Sequence, residues 1–230
     1  MTGAAGPPGV PDDGMVHDLM EIPETIESDG GWTVRGAGPG LLAVLLRQYT
    51  KLLRDLGFPM QTVAAGTDAV TVREVMTNLG VGAPEELIEW FGWQNGLVRN
   101  SGGHIASTLP IGFVPASLEF SAATYEIQLR DWIPEGLWAK GWISLESTQG
   151  LSLYCDGDPH APCLVRQRFI DEYDFVTEYQ PYQVLSLCTV VSWWLEALAT
   201  HAAWRDSTLS GWDFDAARCA EIDHGTLVLS

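Results

Sequence analysis

The stretch VTVREVMTNLGVGAPEELIEWFGWQNG, residues 70–96, contains two helix signals separated by a short break. Thr71 and Glu74 have the spacing of a capping box, in which the two side chains bond free backbone N–H groups at the start of a helix. Apolar residues follow at intervals of three and four, which predicts one buried helical face, and Gly80 is suited to end the helix. The stretch therefore begins with a short amphipathic helix.

A second helix signal follows at once. Pro84 suits a first-turn position, and Glu85 and Glu86 favour the positive end of the helix dipole. The residues after them are mostly apolar, and the pair Asn95-Gly96 is suited to a left-handed C-cap. Two short helices are thus predicted before the β-rich half of the chain.

Upstream of this stretch, residues 41–56 have the clearest amphipathic pattern of the chain. Their leucines recur at spacings of three and four, which predicts a helix, and Gly57 supplies a C-cap. Residues 1–40 are rich in Gly, Pro, Asp and Glu and have little to bury, so we predict a flexible tail. Met15 and Met20 inside it leave a later translation start open.

Downstream, the pattern changes to short β-favouring segments joined by turns. Strands joined by short turns are antiparallel neighbours, so we predict an α+β fold with an antiparallel or mixed meander flanked by helices. The predicted strands are residues 109–114, 141–145, 151–154 and 164–170, and the predicted helices are residues 117–129 and 186–203. Residues 206–230 are interpreted as an extension that is either loosely docked or forms a short strand at 226–229.

The chain is strongly acidic, with 12 Lys and Arg against 30 Asp and Glu and a formal net charge of -18. Its apolar fraction of 46% is sufficient for one well-filled core in 230 residues. A phosphate backbone or an anionic lipid surface would repel such a chain, so the composition argues against nucleic-acid and membrane partners. A basic protein partner is the natural complement, and selection for solubility is the alternative origin of the acidity.

The sequence also bears on location. No run of 18 apolar residues is present, and the N-terminal residues lack the basic start and apolar stretch of a secretion signal. Cys155, Cys163, Cys188 and Cys219 show no CxxC spacing, so we expect neither a disulfide framework nor a zinc site. Cys188 lies in an apolar run, which favours a reduced, buried thiol there. A cytoplasmic protein is expected.

Three blocks of the chain, in order, resemble the SUKH superfamily, which includes the fungal Smi/Knr cell-wall regulators and many bacterial immunity proteins. The first is residues 70–96, with a helix, Leu-Gly, Pro-Glu-x-Leu and Asn-Gly. The second is WISLESTQGLSLYCDGDPHAPCLVRQRF, residues 142–169, in which a Trp-led strand precedes an apolar strand, a turn and another strand. The third, residues 186–204, is similar to the closing helix of the family. One residue of the first block departs from the family pattern, because Ala83 stands where the family usually has Leu.

The resemblance covers residues 41–205 and implies a SUKH-like (Smi/Knr) domain with a largely non-enzymatic role. Bacterial members of the superfamily typically neutralise a toxin, often a nuclease or a deaminase, by binding it, and fungal members are signalling scaffolds. Nuclease toxins carry basic surfaces, and oppositely charged partners associate quickly. The resemblance therefore implies an immunity protein whose acidity suits its partner.

One segment contains residue types that bind metals, namely CDGDPHAPC with Asp156, Asp158, His160 and Cys163. Asp, Gly and Pro are equally typical of a hairpin turn, which is the interpretation we favour. The motifs HExxH, GxSxG and GxGxxG do not occur, and His104 lies in a Gly-rich loop without a placed partner. We therefore predict no catalytic, metal or cofactor site.

Exposed aromatic residues beside acids are typical of protein-binding hot spots. Trp90, Trp142, Trp193 and Trp194 fall on apolar patterns and are predicted to lie in the core. Three other tryptophans lie beside loops, and we expect them to be partly exposed, with coverage of the core by one ring edge as the alternative. The candidate partner-binding residues are Trp93, Trp132, Trp138, Glu146, Asp156, Asp158, Asp171, Glu172 and Asp174.

Three functional hypotheses result. The first is a SUKH-type immunity protein that covers a basic toxin. The second is a regulatory scaffold without a toxin, in which residues 1–40 carry the motif for the partner. The third is a metal-dependent hydrolase that uses residues 156–163.

Overall fold

The computed structural model describes residues 23–28, 31–98, 113–136, 138–147, 150–167, 184–205 and 212–226. The helices are α1 (Leu41–Asp55), α2 (Ala69–Leu79), α3 (Glu85–Trp93), α4 (Leu118–Ile127), α5 (Leu187–Ala199) and α6 (Ala216–Ile222), with a 3-10 turn at Met60–Thr62 and a π-helical segment at Gln128–Trp132. The strands are β1 (Thr25–Ser28), β2 (Gly31–Val34), β3 (Val63–Ala65), β4 (Gln94–Leu97), β5 (Trp142–Ser144), β6 (Leu151–Tyr154), β7 (Val165–Gln167), β8 (Ala203–Arg205) and β9 (Trp212–Phe214). The predicted α+β class is confirmed.

The meander predicted downstream is an antiparallel sheet in the order β5, β6, β7. Val184 connects this sheet to the β1–β2 hairpin, because it bridges to Val165 in antiparallel and to Trp32 in parallel orientation. Two further antiparallel pairs, β3 with β4 and β8 with β9, lie outside it. Residues 168–170 of one predicted strand and 109–112 of another lie outside the described residues. The described remainder of the second, residues 113–114, is not in a strand, so that part of the prediction is wrong.

Helix α5 forms the centre of the core, because side chains around its whole circumference are buried, which is typical of an interior helix. Its buried residues are Leu187, Cys188, Thr189, Val190, Val191, Ser192, Trp193, Trp194, Leu195, Ala197 and Leu198. Helix α1 packs along it through the leucine-rich face that its sequence pattern predicts. Helix α5 ends at Ala199, four residues earlier than predicted.

Helix α2 begins earlier than predicted. The Asp68 Oδ1 atom accepts hydrogen bonds from the backbone N–H groups of Val70 and Thr71, at 3.0 Å each, which makes Asp68 the N-cap. The predicted capping box of Thr71 and Glu74 is therefore wrong. The bonds from Thr71 and Val70 lower the pKa of Asp68, so this residue carries a charge that complements the helix dipole.

The predicted role of Asn95-Gly96 as a helix end is also wrong. Helix α3 ends at Trp93, and the next four residues form β4, which pairs with β3. Within β4, Asn95 Oδ1 accepts a hydrogen bond of 2.6 Å from the backbone N–H of Leu118. Asn95 thus connects β4 to the first turn of α4, a contact that the local sequence does not reveal.

A flexible tail was predicted over residues 1–40, of which residues 1–22 and 29–30 lie outside the described residues. For residues 23–28 and 31–40 the prediction is wrong. Strands β1 and β2 pair from Thr25 opposite Val34 to Ser28 opposite Gly31. Val34 is only 1% exposed, and the backbone carbonyl of Trp32 accepts a hydrogen bond of 2.8 Å from Leu185. The few apolar residues of this segment are enough because Val34 lies in the core and Trp32 and Ala37 pack against it.

The described part of the C-terminal extension is docked, not loose. Strand β9 pairs with β8, and Cys219 of α6 is buried. The His224 ring stacks on the Trp32 ring with centroids 3.9 Å apart, so the two ends of the described chain meet. Residues 227–229, where the alternative strand was expected, lie outside the description. No described helix combines the length and apolarity required to cross a membrane.

Candidate partner-binding surface

Strand alternation gives the β5–β6–β7 sheet two different faces. Leu153 and Val165 are opposite each other on one face and are buried in the core. On the other face Trp142 pairs with Tyr154, and Arg166 lies on the adjacent strand. This second face carries the candidate site.

The Arg166 side chain lies between two tryptophan rings. Its guanidinium carbon is 4.0 Å from the ring centroid of Trp142 and 4.4 Å from that of Trp138, which are cation–π distances. The Trp142 ring also packs against the Tyr154 ring, with the two centroids 5.3 Å apart. The planar, permanently charged guanidinium suits such stacking better than a lysine would.

Trp138 and Trp132 extend the same set of contacts. Trp138 Nε1 donates a hydrogen bond of 3.3 Å to the Trp142 carbonyl, and its ring lies 6.2 Å from that of Trp132. Trp138 is only 3% exposed, so the prediction that it is partly exposed is wrong: its neighbours cover it. Trp132 remains half-buried, as predicted. Trp132, Trp138, Trp142, Tyr154 and Arg166 together form the Trp-Arg cluster.

Helix α4 and the π-helical segment position Trp132. The Ser121 hydroxyl donates a hydrogen bond of 2.7 Å to the Ser144 carbonyl, and the Tyr125 hydroxyl accepts one of 3.0 Å from the Gly141 backbone. These two bonds fix α4 along β5. The helix then widens into a π turn that ends at Trp132, a rare geometry that is frequent at functional sites.

Asp156 lies at the other end of the cluster, beside Gly141. Gly141 has a φ of +86°, and a Cβ atom there would lie 2.7 Å from Asp156 Oδ2 and 2.9 Å from the Tyr154 ring. Only glycine at position 141 leaves room for both the Asp156 carboxylate and the Tyr154 ring. Burial raises the pKa of Tyr125, and the nearby Asp156 carboxylate adds to that effect.

Exposed acids flank the cluster along the chain, namely Asp131, Glu135, Asp156 and Asp158. Arg130 binds both carboxylate oxygens of Asp131, at 2.8 and 2.6 Å, and these bonds lower the pKa of Asp131. The other three acids form no ion pair with any residue in the described ranges. Their charges are therefore available to a partner.

The sequence matches no protein-family model and no curated protein.

Other candidate residues lie apart from the cluster. Trp93, the last residue of α3, donates a hydrogen bond of 2.8 Å from Nε1 to the Thr50 hydroxyl of α1. Its side chain therefore connects these two helices. Glu146 Oε2 accepts one of 3.2 Å from the Leu151 backbone, across the connection between β5 and β6. Asp171, Glu172, Asp174 and His104 lie outside the described residues.

The loop that follows β6 has the hydrogen bonds of a turn, the interpretation favoured from its sequence. Asp158 Oδ1 accepts a hydrogen bond of 2.9 Å from the backbone N–H of His160. The Pro159 carbonyl accepts one of 3.0 Å from the backbone N–H of Glu85. Cys163 is buried, and burial raises the pKa of its thiol to about 12. In the described ranges, no three His, Cys, Asp or Glu side chains are grouped so as to hold a metal ion.

Sequence reasoning missed Tyr154 and Arg166. It assigned Trp142 to the core, which its burial confirms, but not to a functional face. The alternation in WIS, LSLY and VRQ, once the strands are aligned, would have placed the three side chains on one face. The contact between Arg166 and Trp138 has no such signal, because 28 residues of sequence separate them.

Proposed function

We propose that this protein binds a basic protein partner and blocks it, as a SUKH-type bacterial immunity protein neutralises a nuclease or deaminase toxin. The observation that carries the proposal is the Trp-Arg cluster with its flanking acids. Tryptophan, tyrosine and arginine are the residues most enriched in binding hot spots. The resemblance of residues 41–205 to the SUKH superfamily supports the class of partner.

The cluster suits binding because it is already ordered without a partner. Trp138 is fixed by its bond to the Trp142 carbonyl and by Arg166, so little side-chain entropy would be lost on association. Trp132 offers the accessible aromatic edge, and Asp156 offers charge at the other end. The mechanism is occlusion of the partner's surface, and it assigns no catalytic residue.

We place this interaction in the cytoplasm. The four cysteines are free and buried, which suits a reducing compartment. The regulatory scaffold remains the second candidate, with no toxin as partner. Because residues 31–40 are docked, the partner motif of that scaffold would have to lie largely within residues 1–22.

The test begins with a search of the neighbouring genes for one that encodes a large secreted protein with a basic C-terminal domain, and that domain is then used as the partner. Its binding is measured by surface plasmon resonance, and its toxic activity is measured with and without this protein. Trp132→Ala and the pair Asp156→Asn with Asp158→Asn should each weaken binding about tenfold or more. The matched control removes two exposed acids elsewhere, by Glu74→Gln on α2 and Glu221→Gln on α6.

Equal binding by the cluster variants and the wild-type protein would refute the site. A toxin that remains active in the presence of excess wild-type protein would refute the function. Circular dichroism of each variant shows whether the fold is retained.

A further inference from the structure

The outward face of α4 carries an apolar seam with heptad spacing. Phe120 and Ile127 are 39% and 43% exposed, and the exposed Ala123 lies between them. Intervals of three and four residues correspond to the a, d and a positions of a coiled coil. The seam is about 10 Å long at the helical rise, which is one heptad.

This seam is not needed to hold α4 in place. The opposite side of the helix makes the contacts with β5, through the hydroxyl groups of Ser121 and Tyr125. Phenylalanine and isoleucine are also weaker helix formers than leucine or alanine, so helix propensity does not account for them. Phe120 and Ile127 instead have, with Ala123 between them, the spacing on which a second helix packs in a coiled coil.

Two acids border the seam on one side. Glu119 and Glu126 precede Phe120 and Ile127 directly, so both occupy g positions, where coiled coils carry the charges that select a partner. Both are exposed, and neither forms an ion pair within the described part of the chain. The nearest cation on the helix face, Arg130, is already bound by its neighbour.

Helix stability explains only one of these acids. Glu119 lies in the first turn of α4, where a negative charge is favourable. Glu126 lies in the interior of the helix, because α4 continues into the π-helical segment that ends at Trp132, so the helix dipole does not account for its charge.

We propose that α4 is a docking face for a basic amphipathic helix of another protein. The apolar side chains of that helix pack on Phe120 and Ile127, and one of them fills the gap that Ala123 leaves between them. Its lysines or arginines pair with Glu119 and Glu126. This surface lies on α4, before the π-helical segment that carries Trp132, and the argument for it does not depend on the toxin proposal.

Charge argues against a second copy of the chain as the occupant. Each copy carries a net charge of -18, and antiparallel pairing of two α4 helices would bring Glu119 of one copy close to Glu126 of the other. A basic helix removes this repulsion and gains two ion pairs. The partner is therefore defined by its chemistry as a helix with an apolar seam bordered by basic residues.

The test measures binding of a synthetic peptide of about three heptads, with leucine at a and d and lysine at e and g. Lysine at both flanking positions keeps the peptide from pairing with itself. A scrambled peptide of the same composition measures general attraction to an acidic protein. Isothermal titration calorimetry should give binding of the patterned peptide at least about tenfold tighter than that of the scrambled peptide.

Two variants locate the contact. Phe120→Gln with Ile127→Gln should weaken binding of the patterned peptide about tenfold, and Glu119→Gln with Glu126→Gln should weaken it several-fold and reduce its salt dependence. The controls are Val70→Gln, a 62% exposed apolar residue on α2, and the pair Glu74→Gln with Glu221→Gln. Both controls should bind as the wild-type protein does.

Equal binding of the patterned and scrambled peptides would overturn the proposal, and so would equal loss in the seam and control variants. Sedimentation of the protein alone provides a further check. Concentration-dependent dimers that Phe120→Gln with Ile127→Gln abolishes would show that a second copy occupies the face, which also overturns it. Asp156→Asn with Asp158→Asn, in the loop after β6, should leave peptide binding unchanged, so failure of this proposal is distinct from failure of the toxin proposal.

Discussion

The Glu86 carboxylate accepts a hydrogen bond from the Ser186 hydroxyl, which joins the first turn of α3 to the N-cap of α5. The same carboxylate accepts bonds from the backbone N–H groups of Leu187, at 3.1 Å, and Cys163, at 3.3 Å. Glu86 is 3% exposed. One buried side chain thus connects two helices and the strand segment that leads into β7.

Replacement of this carboxylate should be strongly destabilising. Glu86→Ala leaves the N–H groups of Leu187 and Cys163 and the Ser186 hydroxyl without their acceptor, so we expect a loss of about 3 kcal/mol in the free energy of unfolding. Urea denaturation measures it. The control is Glu85→Ala, whose partly exposed carboxylate lies 3.6 Å from Arg73 and should cost less than about 1 kcal/mol. Equal losses in the two variants would contradict the role assigned to Glu86.

The pH dependence of stability gives a second prediction for Glu86. Burial raises the pKa of Glu86 above its usual value of 4.5, against the opposing effect of its hydrogen bonds from Ser186, Leu187 and Cys163. The protonated form is therefore favoured by folding. Its contribution to stability is fully present below the unfolded pKa and is lost as the pH rises through the folded pKa.

Glu86→Gln does not titrate, so it isolates this effect from the other acids. The unfolding free energy of the wild-type protein minus that of Glu86→Gln should decrease as the pH rises above 4.5, the usual pKa of a glutamate. Urea denaturation of both proteins at several pH values gives the difference. A difference that stays constant or increases with pH would show that Glu86 does not have a raised pKa.

Local patterns predicted those parts of the fold that depend on neighbouring residues. The leucine spacing of α1 and the turn residue Gly80 were sufficient for their elements, because both act within one helix. Asn95-Gly96 misled, since its bond to Leu118 crosses 23 residues and places it in a strand. Glu86 was assigned only a dipole role, because nothing local indicates that its partner lies at residue 186.

The candidate site likewise contains residues that the local sequence indicates and residues that only the fold brings into place. Trp132 and Asp156 could be selected from composition, because each lies beside a loop or turn. Arg166 could not, since its role depends on a sheet register that brings it over Trp142. The burial of Trp138 likewise results from contacts with Trp132 and Arg166 that only the fold provides.

The N-terminal hairpin should contribute to stability. Val34→Ala removes two methyl groups from a residue that is buried in the core, so the unfolding free energy should fall by about 2 kcal/mol. Differential scanning fluorimetry and urea denaturation measure the change. Arg35→Ala is the adjacent control, because its ion pair with Glu24 is exposed and should contribute little. A wild-type melting temperature in Val34→Ala would mean that the hairpin is not docked in solution.

The four thiols should react slowly while the protein is folded. Burial raises the pKa of each cysteine thiol, that of Cys163 to about 12, so little reactive thiolate exists at neutral pH. A disulfide reagent with a coloured product should label all four thiols quickly in denaturant and only slowly, through unfolding, in native buffer. Rapid labelling of one thiol in native buffer would show that this cysteine is accessible.

Association with a basic partner should separate the roles of charge and of the aromatic cluster. Asp156 and Asp158 are exposed and form no ion pair with another described residue, so they should act on the approach of the partner. Asp156→Asn with Asp158→Asn should lower the association rate and its dependence on salt, whereas Trp132→Ala should mainly raise the dissociation rate. Surface plasmon resonance at low and high salt measures both rates, with Glu74→Gln and Glu221→Gln as the charge-matched control. An association rate that is indifferent to salt in the wild-type protein would contradict electrostatic steering and leave the aromatic surface around Trp132 as the main determinant of binding.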